Sequence, residues 1–219
     1  MDEFSETPPP EEEFGTLVDY HVGAAETMKA HKLKSFAHWI NHFGYDVSLL
    51  HKYGCALLDV DAGNELVIFT GEKYRPKKIW VSEPDLSGVP DQEGMRKVLD
   101  PVKIEAIRRL AGALPLVILR EHLLDALEKL PKDEKVGFIG AFWLFPTHVE
   151  DGFADHVLDL AGDRLVDGGM VILGCDGHLG DELGIPQKKH EQFVTKGVFT
   201  DVYNGLGDYI LVAIKRKSE

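Results

Sequence analysis

Short apolar runs recur along the chain after Gly54, and segments of helical or turn character separate them. The runs are CALLDV from residue 55, KKIWVSEPD from 77, LPLVILR from 114, KVGFIGAFWLF from 135 and GGMVILG from 168. Amphipathic helical patterns precede two of them, around PVKIEAIRRLAGA and in GFADHVLDLAGDRLV. Strands that alternate with helices need crossover connections, which favour a mostly parallel sheet covered by helices.

The last apolar segment has a different pattern. Residues 198–217, VFTDVYNGLGDYILVAIKRK, predict two strands joined by a glycine-containing turn, and therefore an antiparallel pair. The predicted fold class is α/β: a Rossmann-like mixed sheet, mostly parallel with a C-terminal antiparallel strand pair, and helices on both faces. In such sheets ligands bind beyond the carboxyl ends of the strands, where the strand order reverses. Residues that end strands are therefore the first site candidates.

The region before Gly54 divides in two. Residues 1–14 combine a proline run with a glutamate run and predict a disordered acidic tail. Residues 15–53 predict an N-terminal helical cap, and residues 54–219 predict the α/β domain. The apolar positions that recur at near-helical spacing in the first part of the cap are Leu17, Val18, Ala25 and Met28.

Charge and cysteine content narrow the function. The formal net charge is −13, which favours a small-molecule or protein substrate and makes nucleic acid an improbable partner. No apolar run reaches the roughly 18 residues of a membrane helix, so no membrane association is expected. Two cysteines suit a reducing cytoplasm and are expected to be small buried residues. A homo-oligomer is compatible with the sequence.

The order of elements resembles the class I S-adenosylmethionine-dependent methyltransferase fold over residues 54–217. The resemblance is strongest in HVLDLAGDRLVDGGMVILGCDG, where a helix leads through a double glycine into the fifth strand, and in the closing YILVAIKRK. It implies S-adenosylmethionine as cofactor and transfer of its sulfonium methyl group to a small-molecule or protein nucleophile.

The resemblance also assigns site residues. In LLDVDAGNE it keeps the acid Asp59 and the central Gly63, while Asp61 and Glu65 stand where the family has glycines. The implied cofactor-binding residues are Asp59, Asp61, Gly63, Glu83, Glu121, Ala141 and Phe142. The implied residues on the acceptor side are Trp143 and Phe145, with His148 as a candidate general base.

Several alternatives stay open from the residues alone. Asp59 and Asp61 could end a strand and stabilise a turn, or could hold a divalent cation. The changed glycines are compatible with a catalytically inactive scaffold or binding module. The segment ELVIFTGEKYRPK suits either a cofactor helix or a strand that pairs back on the first one. His38 and His42, four apart, are expected to be a solvated or packed pair, so no metal site is predicted.

Overall fold

The computed structural model describes residues 11–58, 63–82, 93–119, 121, 123–144, 152–175, 188–200 and 209–218. The helices are α1 (Glu11–Phe43), α2 (Ser48–Tyr53), α3 (Glu93–Ala111), α4 (Leu123–Lys129) and α5 (Phe153–Arg164). The strands are β1 (Cys55–Leu58), β2 (Ile79–Ser82), β3 (Leu116–Leu119), β4 (Val136–Leu144), β5 (Leu165–Cys175), β6 (Phe193–Thr200) and β7 (Tyr209–Lys215).

The strands form one seven-stranded sheet in the order β3-β2-β1-β4-β5-β7-β6. The first five are parallel, with Leu57 of β1 beside Val81 of β2 on one side and Gly140 of β4 on the other. Strand β7 pairs antiparallel with both β5 and β6. The predicted mixed sheet with an antiparallel C-terminal pair is confirmed.

Each face of the sheet is covered by its own hydrophobic cluster. Because side chains alternate along a strand, Leu57 and Phe138 face one cluster while Ala56 and Ile139 face the other. The first cluster packs under α1, α2 and α3, and the second packs under α4 and α5. Helices therefore lie on both faces, as predicted, and the N-terminal helices share a core with the strands.

The long helix α1 begins at Glu11, inside the segment that the sequence predicted to be a disordered tail. Thr16 Oγ1 donates a hydrogen bond to the carbonyl of Glu12 at 2.9 Å, and Phe14 packs against a small cluster that joins α1 to α3. Four residues of the predicted tail are thus held in the helix by local bonding and by packing. Residues 1–10 lie outside the described residues.

The connection from β1 to β2 is neither of the two structures expected for it. It contains two short 3-10 turns, Leu66–Phe69 and Glu72–Tyr74. All four residues of the first turn are fully buried, so the segment lacks the polar face of an amphipathic helix. The first turn packs in the cluster that contains Phe36 of α1. Helix α1 thereby packs over this connection.

The amino-terminal edge of the sheet is closed by backbone contacts around Gly54. This glycine has a φ of +85°, and a Cβ atom on it would come within 2.2 Å of the Lys78 carbonyl oxygen. Its amide donates to Leu50 of α2, and its carbonyl accepts from Gly137 of β4, both at 2.9 Å. Only glycine fits this junction, which fixes α2 against three strands.

Candidate functional site

The strand order changes direction at β1, which lies between β2 and β4. The chain leaves β1 and crosses to β2 and then β3, whereas β4 and β5 lie on the other side of β1. This is the switch point at which open α/β sheets bind ligands, beyond the carboxyl ends of the strands. Of the predicted site residues, Asp59, Asp61, Glu83, Phe145 and His148 follow these strand ends but lie outside the described residues.

Gly63 begins the described part of the loop after β1, and its conformation requires glycine. Its φ is +91°, in the left-handed region that side chains rarely adopt. A Cβ atom at this position would also come within 2.8 Å of Leu110 Cδ1 and 3.4 Å of Ile107 Cγ1, both on α3. The loop therefore turns tightly here and lies directly against α3.

Glu65, one of the two acids that the resemblance sets where the family is expected to have glycines, is buried and ion-paired. Its Oε1 lies 2.8 Å from Nζ of Lys32 on α1, and the two side chains are 5% and 6% exposed. A buried carboxylate is costly unless an opposite charge and hydrogen bonds compensate it. Lys32 provides that compensation, so the loop after β1 is tied to the N-terminal helix.

The end of β2 is joined to the segment after β3. The Ser82 hydroxyl, which is fully buried, donates a hydrogen bond of 2.6 Å to the carbonyl of Glu121. The carboxylate of Glu121 forms an ion pair with Lys129 of α4, which raises the pKa of Lys129 through that hydrogen bond. Glu121, which the resemblance implies as a cofactor-binding residue, is thus positioned through both its backbone and its side chain.

The predicted cofactor residues on β4 point to opposite faces of the sheet. Ala141 belongs to the cluster under α4 and α5, whereas Phe142 belongs to the cluster under α1. Between Phe142 and Phe138, whose ring centroids lie 6.5 Å apart, Gly140 leaves room for both rings. Phe142 is therefore a core residue at the strand end. Trp143 is in the same strand, and its side chain is not described.

Lys32 and Ser82 were not among the residues singled out from the sequence. Lys32 is seven positions after Ala25 and four before Phe36, both of them buried. A lysine in register with buried apolar residues of a helix is a detectable signal for a buried partner. Ser82 offers no such signal, because an apolar strand tolerates a small hydroxyl side chain without requiring a partner far along the sequence.

A surface groove lies away from these residues, at the edge strand β3. It has a volume of about 430 Å³ and is lined by Arg108, Ala111, Gly112, Leu114, Leu116 and Ile118. None of the predicted site residues lines it. The groove is at the end of α3 and the start of β3, so it does not coincide with the switch point.

The two histidines of α1 and the cysteine of β1 that the sequence singled out lie in described segments. The rings of His38 and His42 stack with centroids 5.9 Å apart, and both residues are exposed. In the described parts of the chain, no three potential ligands cluster into a metal site.

Cys55 is fully buried, as predicted, and burial raises its thiol pKa well above the usual range. None of the described helices is long and apolar enough to cross a membrane.

Comparison with solved structures identifies the fold. A proposed O-methyltransferase from Klebsiella pneumoniae superposes with a TM-score of 0.56 at 13% identity, covering 91% of this chain and 90% of that one. A proposed methylase from Haemophilus influenzae gives 0.52 at 14% identity, covering 84% and 96%. This chain has the class I S-adenosylmethionine-dependent methyltransferase fold. The resemblance inferred from the sequence is confirmed at this level.

A third structure with the methyltransferase fold contains the cofactor. It is a variant of the enzyme MtNAS in complex with S-adenosylmethionine, with a TM-score of 0.50, 10% identity and coverage of 93% of this chain and 73% of that one. No family model matches the sequence, and no curated protein is similar to it at a significant level. The likeness therefore establishes the fold, and the activity is a separate question.

Proposed function

We propose that the protein is an S-adenosylmethionine-dependent methyltransferase that acts on a small-molecule or protein nucleophile. The observation that carries this proposal is the coincidence of the methyltransferase fold with a glycine at positive φ, Gly63, in the connection that follows β1 at the switch point of the sheet. In this fold the turn after the first strand is where a backbone approaches the cofactor, and Gly63 keeps its tight conformation despite the changed neighbours.

The described residues of the turn are compatible with S-adenosylmethionine. Glu65 adds a carboxylate to the loop, but Lys32 neutralises it at 2.8 Å. The loop then presents no uncompensated negative charge from this residue to the methionine carboxylate of the cofactor. Asp59, Asp61 and Gly63 would hold the methionine and ribose parts, and Glu83 the ribose hydroxyls. Glu121 would contact the adenine, and the end of β4, with Ala141 and Phe142, would lie against the cofactor.

The cofactor supplies an electrophilic sulfonium methyl group when it is bound. The chain's own contribution is to hold the acceptor in line with that group and to exclude water, which provides most of the rate enhancement in such displacements. Trp143 and Phe145 would line the acceptor side. His148 would accept the proton of an attacking hydroxyl or amine.

The acceptor class rests on charge. The net charge of −13 disfavours a nucleic-acid acceptor, since such proteins usually present a basic surface to phosphates. The same composition and the two cysteines support a cytoplasmic setting.

The first test is calorimetric titration of the full chain with S-adenosylmethionine and S-adenosylhomocysteine. We expect micromolar binding of both, weakened about tenfold or more in Glu83→Gln, because a hydrogen bond to a charged group contributes about 1.5–3 kcal/mol. Glu72→Gln is the matched control, since Glu72 is exposed in the same β1–β2 connection, and its affinity should equal that of the wild type.

Absence of binding at millimolar ligand by the folded protein would refute the enzyme proposal and leave the inactive scaffold in its place. Stabilisation by a divalent cation alone would instead favour metal chemistry at Asp59 and Asp61. Binding with equal affinity in the Glu83→Gln and Glu72→Gln variants would retain the cofactor but reject the assigned role of Glu83.

A further inference from the structure

The described end of the loop after β1 is held from two sides. Gly63 lies directly against α3, where a Cβ atom would come within 2.8 Å of Leu110 Cδ1. Two residues later, Oε1 of Glu65 lies 2.8 Å from Nζ of Lys32 on α1. From Leu66 to Phe69 the chain is fully buried in the core that α1 and α3 share. Residues 63–65 are thus the last part of the loop before the chain enters the core.

The contact between Lys32 and Glu65 joins two charges that are removed from water. Their side chains are only 6% and 5% exposed. A buried carboxylate that loses its cation is strongly destabilising, so it is driven towards water wherever the backbone allows the movement. For Glu65 this requires a displacement of residues 63–65, because the side chains from Leu66 to Phe69 are fixed in the core.

The chain sets the direction of that displacement. Since Leu66 is anchored, a movement of Glu65 passes to Gly63, which is held at a φ of +91°, and from there towards the carboxyl end of β1. That end is the switch point of the sheet, between β2 and β4. A buried contact on α1 is therefore coupled to the loop that, under the proposed function, holds the methionine half of the cofactor.

We propose that Lys32 is a positioning residue for the methionine half of S-adenosylmethionine, and that it acts through Glu65. This inference rests on the proposed function. The adenosine half is assigned to the ends of β2 and β3, through Glu83 and Glu121. The hydrogen bond from Ser82 to the Glu121 carbonyl joins these two ends without any contribution from α1. Loss of Lys32 should therefore weaken binding of one half of the cofactor and spare the other.

The decisive experiment is calorimetric titration of the full chain with two probes. S-adenosylhomocysteine carries the amino-acid half, whereas 5′-methylthioadenosine has the adenosine and the thioether and lacks that half. We expect Lys32→Met to raise the dissociation constant of S-adenosylhomocysteine about tenfold or more and that of methylthioadenosine less than about twofold. The titrations are made at about pH 8, because a carboxylate takes up a proton least readily in alkaline solution.

Two further variants separate positioning from stability. Lys32→Met, Glu65→Leu leaves no carboxylate to expel from the core, so its affinity for S-adenosylhomocysteine should return to that of the wild type. His190→Ala is the matched control, because it also removes a buried charged contact, with Asp155 of α5, on the other face of the sheet. It should lower stability and leave both affinities unchanged.

The outcomes separate this inference from the proposed function. A wild type that binds neither probe would reject both. If the wild type binds, equal weakening of the two probes in Lys32→Met would overturn the positioning role alone. So would an unchanged affinity for S-adenosylhomocysteine, or an equal loss of affinity in His190→Ala.

Hydrogen exchange of the wild type gives a measurement that needs no variant to fold. If docking of α1 on the loop promotes binding of the methionine half, then binding of that half must stabilise the docking of α1 to the same extent. At equal saturation, S-adenosylhomocysteine should slow amide exchange in residues 28–36 more than methylthioadenosine does, relative to exchange in α5. Equal protection by the two probes would contradict the coupling.

Discussion

Lys32 Nζ lies 2.8 Å from Glu65 Oε1, and the pair is buried between α1 and the loop that follows β1. The two residues are 33 positions apart in the chain. Their contact makes the N-terminal helix part of the structure that shapes the proposed cofactor loop. It also explains how a buried glutamate is tolerated at position 65 of this loop.

Removing one member of this pair should destabilise the protein. Lys32→Met leaves the Glu65 carboxylate buried without its cation, and we expect a loss of about 3–5 kcal/mol in the free energy of unfolding. Urea denaturation followed by circular dichroism measures it. The double variant Lys32→Met, Glu65→Leu replaces both charges by apolar groups and should recover most of the loss. Equal instability of the single and double variants would show that the charges are not coupled.

Gly63→Ala should also be destabilising, by about 1–3 kcal/mol, because it combines an unfavourable positive φ with a contact against Leu110. The matched control is Gly23→Ala on α1, where the glycine has open space and helical geometry. That variant should gain about 0.5–1 kcal/mol. Thermal unfolding of both variants gives the comparison. If Gly63→Ala leaves the free energy of unfolding unchanged, the loop relaxes easily around the added methyl group.

The expected cost also means that bulky substitutions of Gly63 are poor tests of cofactor binding, since they alter folding as well.

Ser82→Ala should cost about 1–3 kcal/mol, because it removes the donor to the Glu121 carbonyl at a fully buried position. Hydrogen exchange should increase in residues 123–129, which follow that carbonyl. Thr27→Ala serves as control, since its hydroxyl also donates to a backbone carbonyl, at 2.7 Å, but on an exposed helix surface. Unchanged exchange in α4 would show that Ser82 does not hold this segment.

His190 should be a further stabilising residue, because its ring lies between two carboxylates of α5. Nε2 is 2.6 Å from Asp155 Oδ1, and Nδ1 is 3.3 Å from Asp159 Oδ1, with the histidine side chain 3% exposed. We expect His190→Ala to lower the free energy of unfolding by about 2–3 kcal/mol. His156→Ala removes an exposed histidine of α5 and should change the free energy of unfolding little. Equal effects in a urea titration would contradict the role of the buried contacts.

The central strands were predictable from the sequence because they are buried on both faces. Runs such as CALL in β1 and VGFIG in β4 carry the continuous apolar pattern of central parallel strands. The double glycine was expected to lead from the preceding helix into the fifth strand. It lies within β5, at an irregularity where pairing with β4 passes from Leu165 to Met170. Local composition detects such a glycine pair but not whether the strand resumes beyond it.

The remaining differences come from contacts between distant segments. Leu66–Phe69 forms a 3-10 turn that is buried in the core under α1, and periodicity within four buried residues cannot reveal that. Met28 is three positions from the buried Ala25, so helical spacing placed both on the apolar face, yet Met28 is 43% exposed. The pairing of Lys32 with Glu65 likewise depends on tertiary packing. Asp59, Asp61, Glu83, Phe145 and His148 remain predictions.

The junction at Gly54 has a practical consequence for shortened forms of the protein. It connects α2 to β1, β2 and β4 through backbone bonds, and Tyr45 adds a hydrogen bond from its hydroxyl to the Gly137 carbonyl at 3.0 Å. A fragment that starts at residue 54 would expose the apolar surface that α1 and α2 now cover and would lose these bonds. Such a fragment should aggregate on expression, whereas supplying residues 11–53 as a separate peptide should restore solubility by reassembling the two pieces.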